Sequence, residues 1–361
     1  MSRESVRGLV TEKPERKPPI PDSAWLSLGC GLANLAVSGR VDRGIAMGNY
    51  VWFVGDSESG KSWMCLQILA EAAKNPNFKN HRLIYDPVEN GVLLDVPQYF
   101  GKELARRLEP PNGTQKKPQP SRNVQEFYFN LRKLKKEGNP FIYILDSMDS
   151  LDEKSEEEKF DENMDKYEKG KDTKGSFSMT KQKFNSQNIN RVVTGLADTN
   201  SILIIISQTR DKVNSHIPNQ KTAGGGRALK FYSHVQIWTS IKGDLKRTVM
   251  KKERVFGKQI LFDVQKNRIS GRDVKVDIPY LWDYGFDDIG ACVDYLVDEE
   301  HWSKTGSTIK AKEFGVDKKR EDLIAYIEDG ERRVDKLRSI VQITWRKIAE
   351  ETKIKRKPRY V

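Results

Sequence analysis

The chain has 361 residues and a net charge of +12, with 63 Lys and Arg against 51 Asp and Glu. This balance favours a polyanionic partner. Three cysteines far apart in the sequence exclude a disulfide framework and give no zinc-ligand spacing. No segment is long and apolar enough for a membrane span and the N-terminus has no signal-peptide core, so we expect a soluble protein of the cytoplasm or nucleus.

The length allows one large α/β domain with a smaller appendage, or two domains. Residues 1–23 are basic and proline-rich, with too few apolar residues to pack alone, which predicts a flexible arm. Residues 24–289 are predicted to form the core. Residues 290–361 carry apolar residues at helical spacing and are predicted to form a small helical domain that ends in a basic tail.

A phosphate-loop pattern, G-x-x-x-x-G-K-[ST], stands between an apolar run at residues 51–54 and a helical pattern at residues 63–74. A glycine-rich turn that opens a helix presents backbone N–H groups and the positive end of the helix dipole to a phosphate. Lys61 is expected to reach the β- and γ-phosphates of ATP, and Ser62 to bind Mg²⁺. The predicted ATP-binding residues of this loop are Gly55, Asp56, Ser57, Glu58, Ser59, Gly60, Lys61 and Ser62.

Three later apolar runs, at residues 82–85, 141–145 and 201–206, predict further buried strands, each followed by polar side chains. In doubly wound sheets the ligand lies at the carboxyl ends of the strands, so these side chains are expected near the phosphate loop. Asp146 is expected to hold the Mg²⁺ shell together with Ser62. The predicted fold is α/β with a mostly parallel central sheet, extended by antiparallel strands at residues 234–239, 260–264 and 274–278.

Two segments between predicted strands are rich in charge. Residues 152–174 have mixed signs with an acidic excess, which is typical of a solvated loop. Residues 209–226 are basic, are predicted to lack regular structure and end in three glycines. Because successive glycines let the backbone approach a phosphate closely, we favour a polyanion contact over a simple hinge.

The order of these features resembles the RecA-type recombinases, and within them the bacteriophage, UvsX-like branch. The resemblance spans about residues 25–290 and is most specific at residues 225–232, which follow an amide-ended strand and a basic loop. The matching segments are residues 35–39, residues 55–62, Tyr85-Asp86 with Glu89, Leu145-Asp146-Ser147, residues 206–210, residues 225–232 and Lys266-Asn267-Arg268.

The resemblance implies a RecA-like P-loop ATPase core that uses ATP and Mg²⁺, with Lys61, Glu89 and Gln208 as catalytic residues. Glu89 is the implied general base. Asp86 is a rival, because two residues separate the two acids here where the family pattern has one. Gln208 is the implied γ-phosphate sensor. The implied DNA-binding residues are Arg210, Lys212, Val213, Gly225, Gly226 and Arg227. The residues implied to act on the site of a neighbouring subunit are Lys266 and Arg268, with Lys230 and Phe231 beside them.

The function implied by the resemblance is an ATP-dependent DNA recombinase, which forms homo-oligomeric filaments on single-stranded DNA and exchanges that strand with a homologous duplex. Single-strand binding protein and a mediator are the further partners implied, in the host bacterial cytoplasm if the chain is phage-encoded. A first DNA loop is expected within residues 151–179, although that segment is longer and more acidic than the role requires. The alternatives are a RecA-fold hexameric helicase and an ATP-binding regulatory switch.

Overall fold

The computed structural model describes residues 20–89, 94–152, 179–211 and 221–356. Several predicted features lie outside these ranges. They are residues 1–19 of the N-terminal arm, residues 153–174 of the acidic segment, the DNA-binding residues Lys212 and Val213, and the last five residues of the basic tail.

A ten-stranded sheet forms the centre of the molecule, in the order β14-β13-β12-β11-β3-β9-β8-β4-β5, with β10 paired on β9. Neighbours from β11 to β5 are parallel, and the β11 to β14 side is antiparallel. The α/β fold with a mostly parallel sheet is therefore confirmed. The strands are β1 (Trp25–Leu26), β2 (Ile45–Ala46), β3 (Tyr50–Gly55), β4 (Arg82–Pro87), β5 (Leu108–Glu109), β6 (Asn112–Thr114), β7 (Lys117–Gln119), β8 (Phe141–Asp146), β9 (Ile202–Asp211), β10 (Lys221–Ala223), β11 (Val235–Val249), β12 (Lys252–Asn267), β13 (Val274–Leu281), β14 (Gly285–Phe286), β15 (Ser303–Thr305), β16 (Thr308–Ala311) and β17 (Val316–Lys319).

Ten α-helices surround the sheet in the described ranges. Their ends follow local signals: Asn123 caps one helix by accepting the N–H of Glu126 at 3.0 Å, and Gly138 ends the same helix with φ 77°. The helices are α1 (Gly31–Ser38), α2 (Lys61–Lys74), α3 (Val96–Phe100), α4 (Lys102–Arg107), α5 (Val124–Glu137), α6 (Met179–Val193), α7 (Arg227–Tyr232), α8 (Asp288–Asp298), α9 (Arg320–Glu328) and α10 (Glu331–Glu351).

The sheet is buried on both faces, as β3 shows most clearly. Its Val51 and Phe53 belong to one apolar cluster, which includes residues of α1, α2 and α8 to α10. Its Tyr50, Trp52 and Val54 belong to a second cluster, which includes residues of α5, α6 and α7. Helices therefore cover both faces, and polar side chains gather at the strand ends.

Two parts of the sheet differ from the prediction. We expected residues 234–239 to be antiparallel to their neighbours, but β11 is parallel to β3 and antiparallel only to β12. The connection through α7 returns the chain to the edge where β3 begins, which makes the two strands parallel. Residues 209–226 were predicted to lack regular structure, yet β9 continues to Asp211 and pairs with β10 over residues 221–223.

The C-terminal part contains a small antiparallel sheet of β15, β16 and β17 in addition to the predicted helices. These strands are only three or four residues long and carry several charged residues, so they gave no strand pattern in the sequence. The apolar side chains of α8, α9 and α10 join the same cluster as α1 and α2. A division of the chain at residue 290 therefore remains a proposal, since no separate apolar core marks it.

The three cysteines are buried and unpaired. Burial raises the pKa of the Cys30, Cys65 and Cys292 thiols above its ordinary value, which keeps them protonated at neutral pH. Within the ranges that the structure covers, no helix combines the length and the apolarity that a bilayer crossing requires.

Candidate nucleotide site and DNA-contacting segments

The predicted phosphate loop links the end of β3 to the start of α2, and two of its glycines are required by packing. A Cβ atom at Gly55 would lie 2.3 Å from Thr239 Oγ1, and one at Gly60 would lie 2.6 Å from the ring of Phe286. Gly60 also has φ 77°, which favours glycine. The Ser59 hydroxyl donates to the carbonyl of Asp56 at 2.7 Å, which holds the turn closed.

Lys61 lies inside this loop and is only 7% exposed. Its ammonium donates to the carbonyl oxygens of Gly55 at 3.0 Å and Asp56 at 2.5 Å. Burial lowers the pKa of Lys61, and the nearby carboxylates of Asp146, Asp56 and Glu89 oppose that shift. A desolvated cation held by carbonyl oxygens is well suited to bind an anion in the same turn.

Ser62 and Asp146 form the predicted metal-binding pair. The Ser62 hydroxyl hydrogen-bonds to the Asp146 carboxylate, and the Tyr85 hydroxyl donates to the same carboxylate at 2.6 Å. Burial raises the pKa of Asp146, while these two hydrogen bonds act in the opposite direction. A cluster of three or more His, Cys, Asp or Glu side chains suited to a metal is absent from the part of the chain that the structure covers. The Ser62 hydroxyl and the Asp146 carboxylate are oxygen donors of the kind that fits Mg²⁺, which commonly keeps phosphate oxygens and water as its other ligands.

Asp86 lies near the end of β4 and Glu89 follows that strand, and the two acids occupy different environments. Glu89 Oε1 accepts hydrogen bonds from Ser147, from Ser150 and from the side-chain amide of Gln208, each at 2.9 Å. The structure therefore brings together Glu89 and Gln208, which were predicted from segments more than 100 residues apart. Ser150 was not identified from the sequence, because a serine in a turn carries no specific signal.

Asp86 is fully buried within β4. Its carboxylate accepts from the Ser121 N–H at 2.9 Å and from the hydroxyls of Ser121 and Tyr143 at 2.6 Å each. Burial raises the pKa of this carboxyl group. These contacts make Asp86 a structural link between β4 and β8, whereas Glu89 faces the cavity beside the phosphate loop.

That cavity has a volume of about 450 Å³ and is lined by the phosphate loop, Glu89, Asp146 and Gln208. Three further residues line it that the sequence analysis did not single out, Lys258, Tyr280 and Trp282. Lys258 pairs with Glu58 of the phosphate loop at 2.5 Å, and the Trp282 side chain is 48% exposed. They come from β12 and from the end of β13, so only the fold places them at the site.

Asp149 connects the nucleotide side of the site to the basic segment that begins at residue 209. Its carboxylate accepts the backbone N–H of Gln208 at 2.7 Å and pairs with Arg210 at 3.3 Å. Gly224 makes room for this carboxylate, because a Cβ atom there would lie 1.7 Å from Asp149 Oδ1. The turn that contributes Ser150 to Glu89 therefore also holds the start and the end of the predicted DNA loop.

Asp56 of the phosphate loop makes a second carboxylate contact with the basic segment. Asp56 accepts a hydrogen bond from the Thr209 hydroxyl and pairs with Lys221 at 2.5 Å. Burial opposes ionisation of Asp56, but the bonds to Lys221 and Thr209 together give it a lowered pKa. The predicted DNA-binding residue Arg210 and the strand β10 are thus tied to the nucleotide site through two carboxylates.

Gly225, Gly226 and Arg227 end the basic segment and start α7. Gly225 and Gly226 have φ 83° and 92°, and a Cβ atom at Gly225 would lie 2.5 Å from Leu229. Internal packing therefore gives a reason for glycine here that is independent of DNA. Their predicted contact with a phosphate backbone remains a prediction.

The four residues predicted to act on a neighbouring subunit form one patch. Lys266 donates to the carbonyl oxygens of Lys230 and Phe231 at 2.7 Å each, and Arg268 donates to the carbonyl of Phe231 at 3.0 Å. The Phe231 side chain is 64% exposed. Lys266 lies opposite Gln236 of β11, and Gln236 in turn pairs with the first half of β3. Lys266 is therefore at the edge of the sheet where β3 begins, whereas the phosphate loop follows the other end of β3. These cations therefore sit across the sheet from their own phosphate loop.

The environment of Lys266 predicts a pH effect on stability. Burial and the nearby charges of Arg268 and Lys230 lower the pKa of Lys266 to about 8. The unfolded chain then binds more protons than the folded chain between this value and the ordinary lysine pKa, so stability should rise with pH over that window. We expect Lys266→Met to be more stable than the wild type below pH about 8, and the difference to shrink as the pH approaches about 10.

Urea unfolding of both proteins at several pH values measures this difference. Lys74→Met serves as the control, because Lys74 is exposed at the end of α2 and that variant should keep the wild-type pH slope. An equal pH slope for Lys266→Met and the wild type would contradict the expectation.

Comparisons with known proteins show what the chain is similar to. The family model described as the RecA N-terminal domain matches residues 133–287, a region that holds β8 to β14 but not the phosphate loop. Protein RecA of Rickettsia bellii (strain RML369-C) is 24% identical over 304 residues, which cover 83% of this chain and 79% of that protein. Protein RecA of Rhodospirillum rubrum is 24% identical over 310 residues, covering 85% of this chain and 76% of that protein.

The sheet order and the residues gathered at the strand ends define a protein with a RecA-like α/β core. The similarity to RecA proteins extends beyond the matched domain to most of the chain. The chain therefore resembles the RecA-type recombinases both in this domain and over most of its length.

Proposed function

We propose that the chain is a DNA-dependent ATPase that forms helical filaments on single-stranded DNA and catalyses homologous pairing and strand exchange. The observation that carries this proposal is the pair of carboxylate contacts between the nucleotide site and the basic segment. Asp149 contacts Gln208 and Arg210 at the start of that segment, and Asp56 pairs with Lys221 near its end. A movement of the phosphate loop or of Glu89 should therefore shift the predicted DNA-binding residues.

In the proposed reaction ATP is the substrate, and its triphosphate lies along the phosphate loop with Lys61 on the β- and γ-phosphates. Ser62 and Asp146 hold Mg²⁺, which neutralises phosphate charge when bound. Glu89 orients the attacking water and accepts its proton, while the bond from the γ-phosphorus to the bridging oxygen breaks to release ADP and phosphate. The Gln208 amide, which donates to Glu89, contacts the γ-phosphate and links its loss to the following DNA loop.

Lys266 and Arg268 complete the site of the next subunit in this proposal. Their position across the sheet from their own phosphate loop supports action between subunits rather than within one. Cations placed there stabilise charge on the γ-phosphate in the manner of an arginine finger. Nucleotide at the interface then favours the assembled, DNA-binding form, and hydrolysis weakens it.

Nucleotide turnover with and without single-stranded DNA, with electron microscopy of the same samples, tests the proposal. We expect stimulation by single strands together with nucleotide-dependent helical filaments, and strand exchange in a joint-molecule assay. Closed rings would indicate a helicase instead. Turnover that ignores DNA, in single particles, would indicate an ATP-binding switch. Placement in the bacteriophage branch and partnership with single-strand binding protein and a mediator remain predictions.

Subunit mixing tests the action of Lys266 and Arg268 on a neighbour. The double variant Lys266→Ala, Arg268→Ala and the single variant Lys61→Ala should each hydrolyse ATP poorly alone. A mixture should recover part of the activity, because an interface between an intact phosphate loop and an intact cation pair then forms. No recovery at any mixing ratio, with filaments still forming, would place these cations outside the site of the neighbour.

A further inference from the structure

A second cavity, of about 970 Å³, lies beside both ends of the basic segment at residues 209–226. Residues 209–210 and 221–227 line one side of it. The sheet lines the other side, with Trp52 of β3 and with Gln236 and Trp238 of β11. Gln236 lies directly opposite Trp52, and Trp238 follows two residues later on the same face. The cavity has the size of a ligand pocket, about 300–1,000 Å³, and its lining residues differ from those of the nucleotide cavity.

Gln236 is fully buried against this cavity, with 0% of its surface exposed. Within the part of the chain that the structure describes, neither its amide nitrogen nor its amide oxygen has a hydrogen-bond partner. A buried amide without partners costs free energy, because it has given up its hydrogen bonds to water. Since nearly all buried polar groups in folded proteins are paired, this amide indicates a ligand that completes its hydrogen bonds.

The two tryptophans that line the cavity differ in the same respect. The Trp52 indole N–H donates to the Ser207 hydroxyl at 3.0 Å. The Trp238 indole nitrogen is also buried, but none of the described residues accepts its hydrogen. Trp238 therefore adds an unpaired donor and a flat ring beside the Gln236 amide. A floor that combines aromatic surface with hydrogen-bonding groups suits a flat heteroaromatic ligand, which can stack and hydrogen-bond at once.

Positive charge lies at the rim of the same cavity. Arg227 and Lys230 line it, are three residues apart on α7 and are both exposed. Among the described residues, the carboxylates beside this cavity pair with other cations, such as Arg210 and Lys221. An anion at the rim would therefore meet two cations while a ring fills the floor. A flat polar ring joined to an anionic group is the chemistry of a nucleotide.

We propose that this cavity binds one unpaired nucleotide, with its base against Trp238, the pairing edge of the base on the Gln236 amide and its phosphate at Arg227. Every nucleobase carries a donor and an acceptor side by side on the edge that it uses for pairing, and an amide offers the complementary pair. In a duplex that edge is occupied by the opposite base. The site is therefore selective for unpaired nucleotides.

The source of this nucleotide rests on the proposed recombinase function. A DNA single strand bound along residues 209–226 would run past the cavity, because both described ends of that segment form its wall. One base of such a strand can leave the stack and enter. A free nucleotide has the same chemistry, so the test includes both sources.

The test compares the full chain with its variants Gln236→Leu and Trp238→Phe. The matched control is Gln98→Leu, which makes the same change at an exposed position on α3. Fluorescence anisotropy, at a saturating non-hydrolysable ATP analogue and over a range of salt, gives the affinities for three labelled DNAs of equal length. They are a single strand, a single strand without bases and a duplex. A thermal melt of each protein reports on the fold.

We expect Gln236→Leu to bind the single strand at least fivefold more weakly, and the strand without bases and the duplex within about twofold of the wild type. The salt slope should not change, because no phosphate contact is lost. Trp238→Phe should show a smaller loss on the same DNA. The melting temperature of Gln236→Leu should rise, because leucine removes the unpartnered buried amide. Gln98→Leu should match the wild type throughout.

Equal losses on the strands with and without bases would overturn the proposal, as would a lower melting temperature for Gln236→Leu, which would indicate a glutamine that supports the fold. Equilibrium dialysis with thymidine monophosphate, with the ATP site saturated, separates the two sources. We expect no saturable binding of this free nucleotide. Saturable binding that Gln236→Leu abolishes would assign the cavity to a free nucleotide and overturn the strand as its source.

The same measurements distinguish a failure of the recombinase function from a failure of the cavity proposal. A chain that binds none of the three DNAs would contradict the recombinase function. Dialysis then decides for the cavity, and no binding of the free nucleotide there would overturn the site as well. Strand binding that is identical in the wild type, Gln236→Leu and Trp238→Phe would leave the recombinase function standing and overturn the site alone.

Discussion

Replacement of Lys61 by Ala is expected to reduce ATP turnover by on the order of 10²-fold or more, because the ammonium is the cation placed inside the phosphate loop to stabilise phosphate charge. Nucleotide-dependent assembly should be lost with it. The fold should not suffer, since burial disfavours the charged form of Lys61 and removal of the side chain relieves that cost. Steady-state turnover and a urea unfolding curve separate the two effects.

Lys74→Ala is the matched control, because Lys74 ends the same helix and is exposed. It should retain wild-type turnover and assembly. Wild-type turnover in Lys61→Ala would remove residues 55–62 from the mechanism, whatever its stability.

Replacement of Glu89 by Gln is expected to lower turnover by about 10²- to 10⁴-fold while ATP binding and assembly on single-stranded DNA persist. The amide oxygen can still accept from Ser147, Ser150 and Gln208, so the local arrangement should remain. The amide cannot accept the proton of the attacking water. Single-turnover hydrolysis and filament imaging with ATP measure the two outcomes.

The comparison with Asp86→Asn decides between the two acids at the carboxyl end of β4. Asp86 accepts three hydrogen bonds in the core and does not line the cavity, so its replacement should cost about 1–3 kcal/mol of stability and leave turnover per folded molecule near wild type. The reverse pattern, full turnover in Glu89→Gln and loss in Asp86→Asn, would make Asp86 the general base.

The parts of the site that could be predicted each follow from a local sequence pattern. Lys61, Ser62 and Asp146 follow apolar strands at fixed offsets, and the edge at which parallel strands end brings such residues together. The choice between Asp86 and Glu89 required the structure. Strand alternation turns Asp86 towards Tyr143, and the two residues that follow it carry Glu89 out to the cavity.

Other features depend on contacts between distant segments. The role of Asp149 could not be predicted from the sequence, because it depends on the space that the distant Gly224 leaves for its carboxylate. Lys258, Tyr280 and Trp282 reach the cavity from strands beyond the parallel part of the sheet. The short strands of the C-terminal sheet carry too few apolar residues to show alternation. The sequence therefore predicts the fold and the phosphate site, and tertiary packing decides the links between them.

The placement of the phosphate loop and of the Lys266 patch at opposite edges of one sheet has a consequence for any assembly that joins them. Such an interface is heterologous, so an assembly that stays open as a filament has two unlike ends, one presenting a free loop and the other a free cation patch. It also holds one fewer complete interface than it has subunits. Activity per subunit should then increase with length, and growth and loss of subunits should proceed at different rates at the two ends.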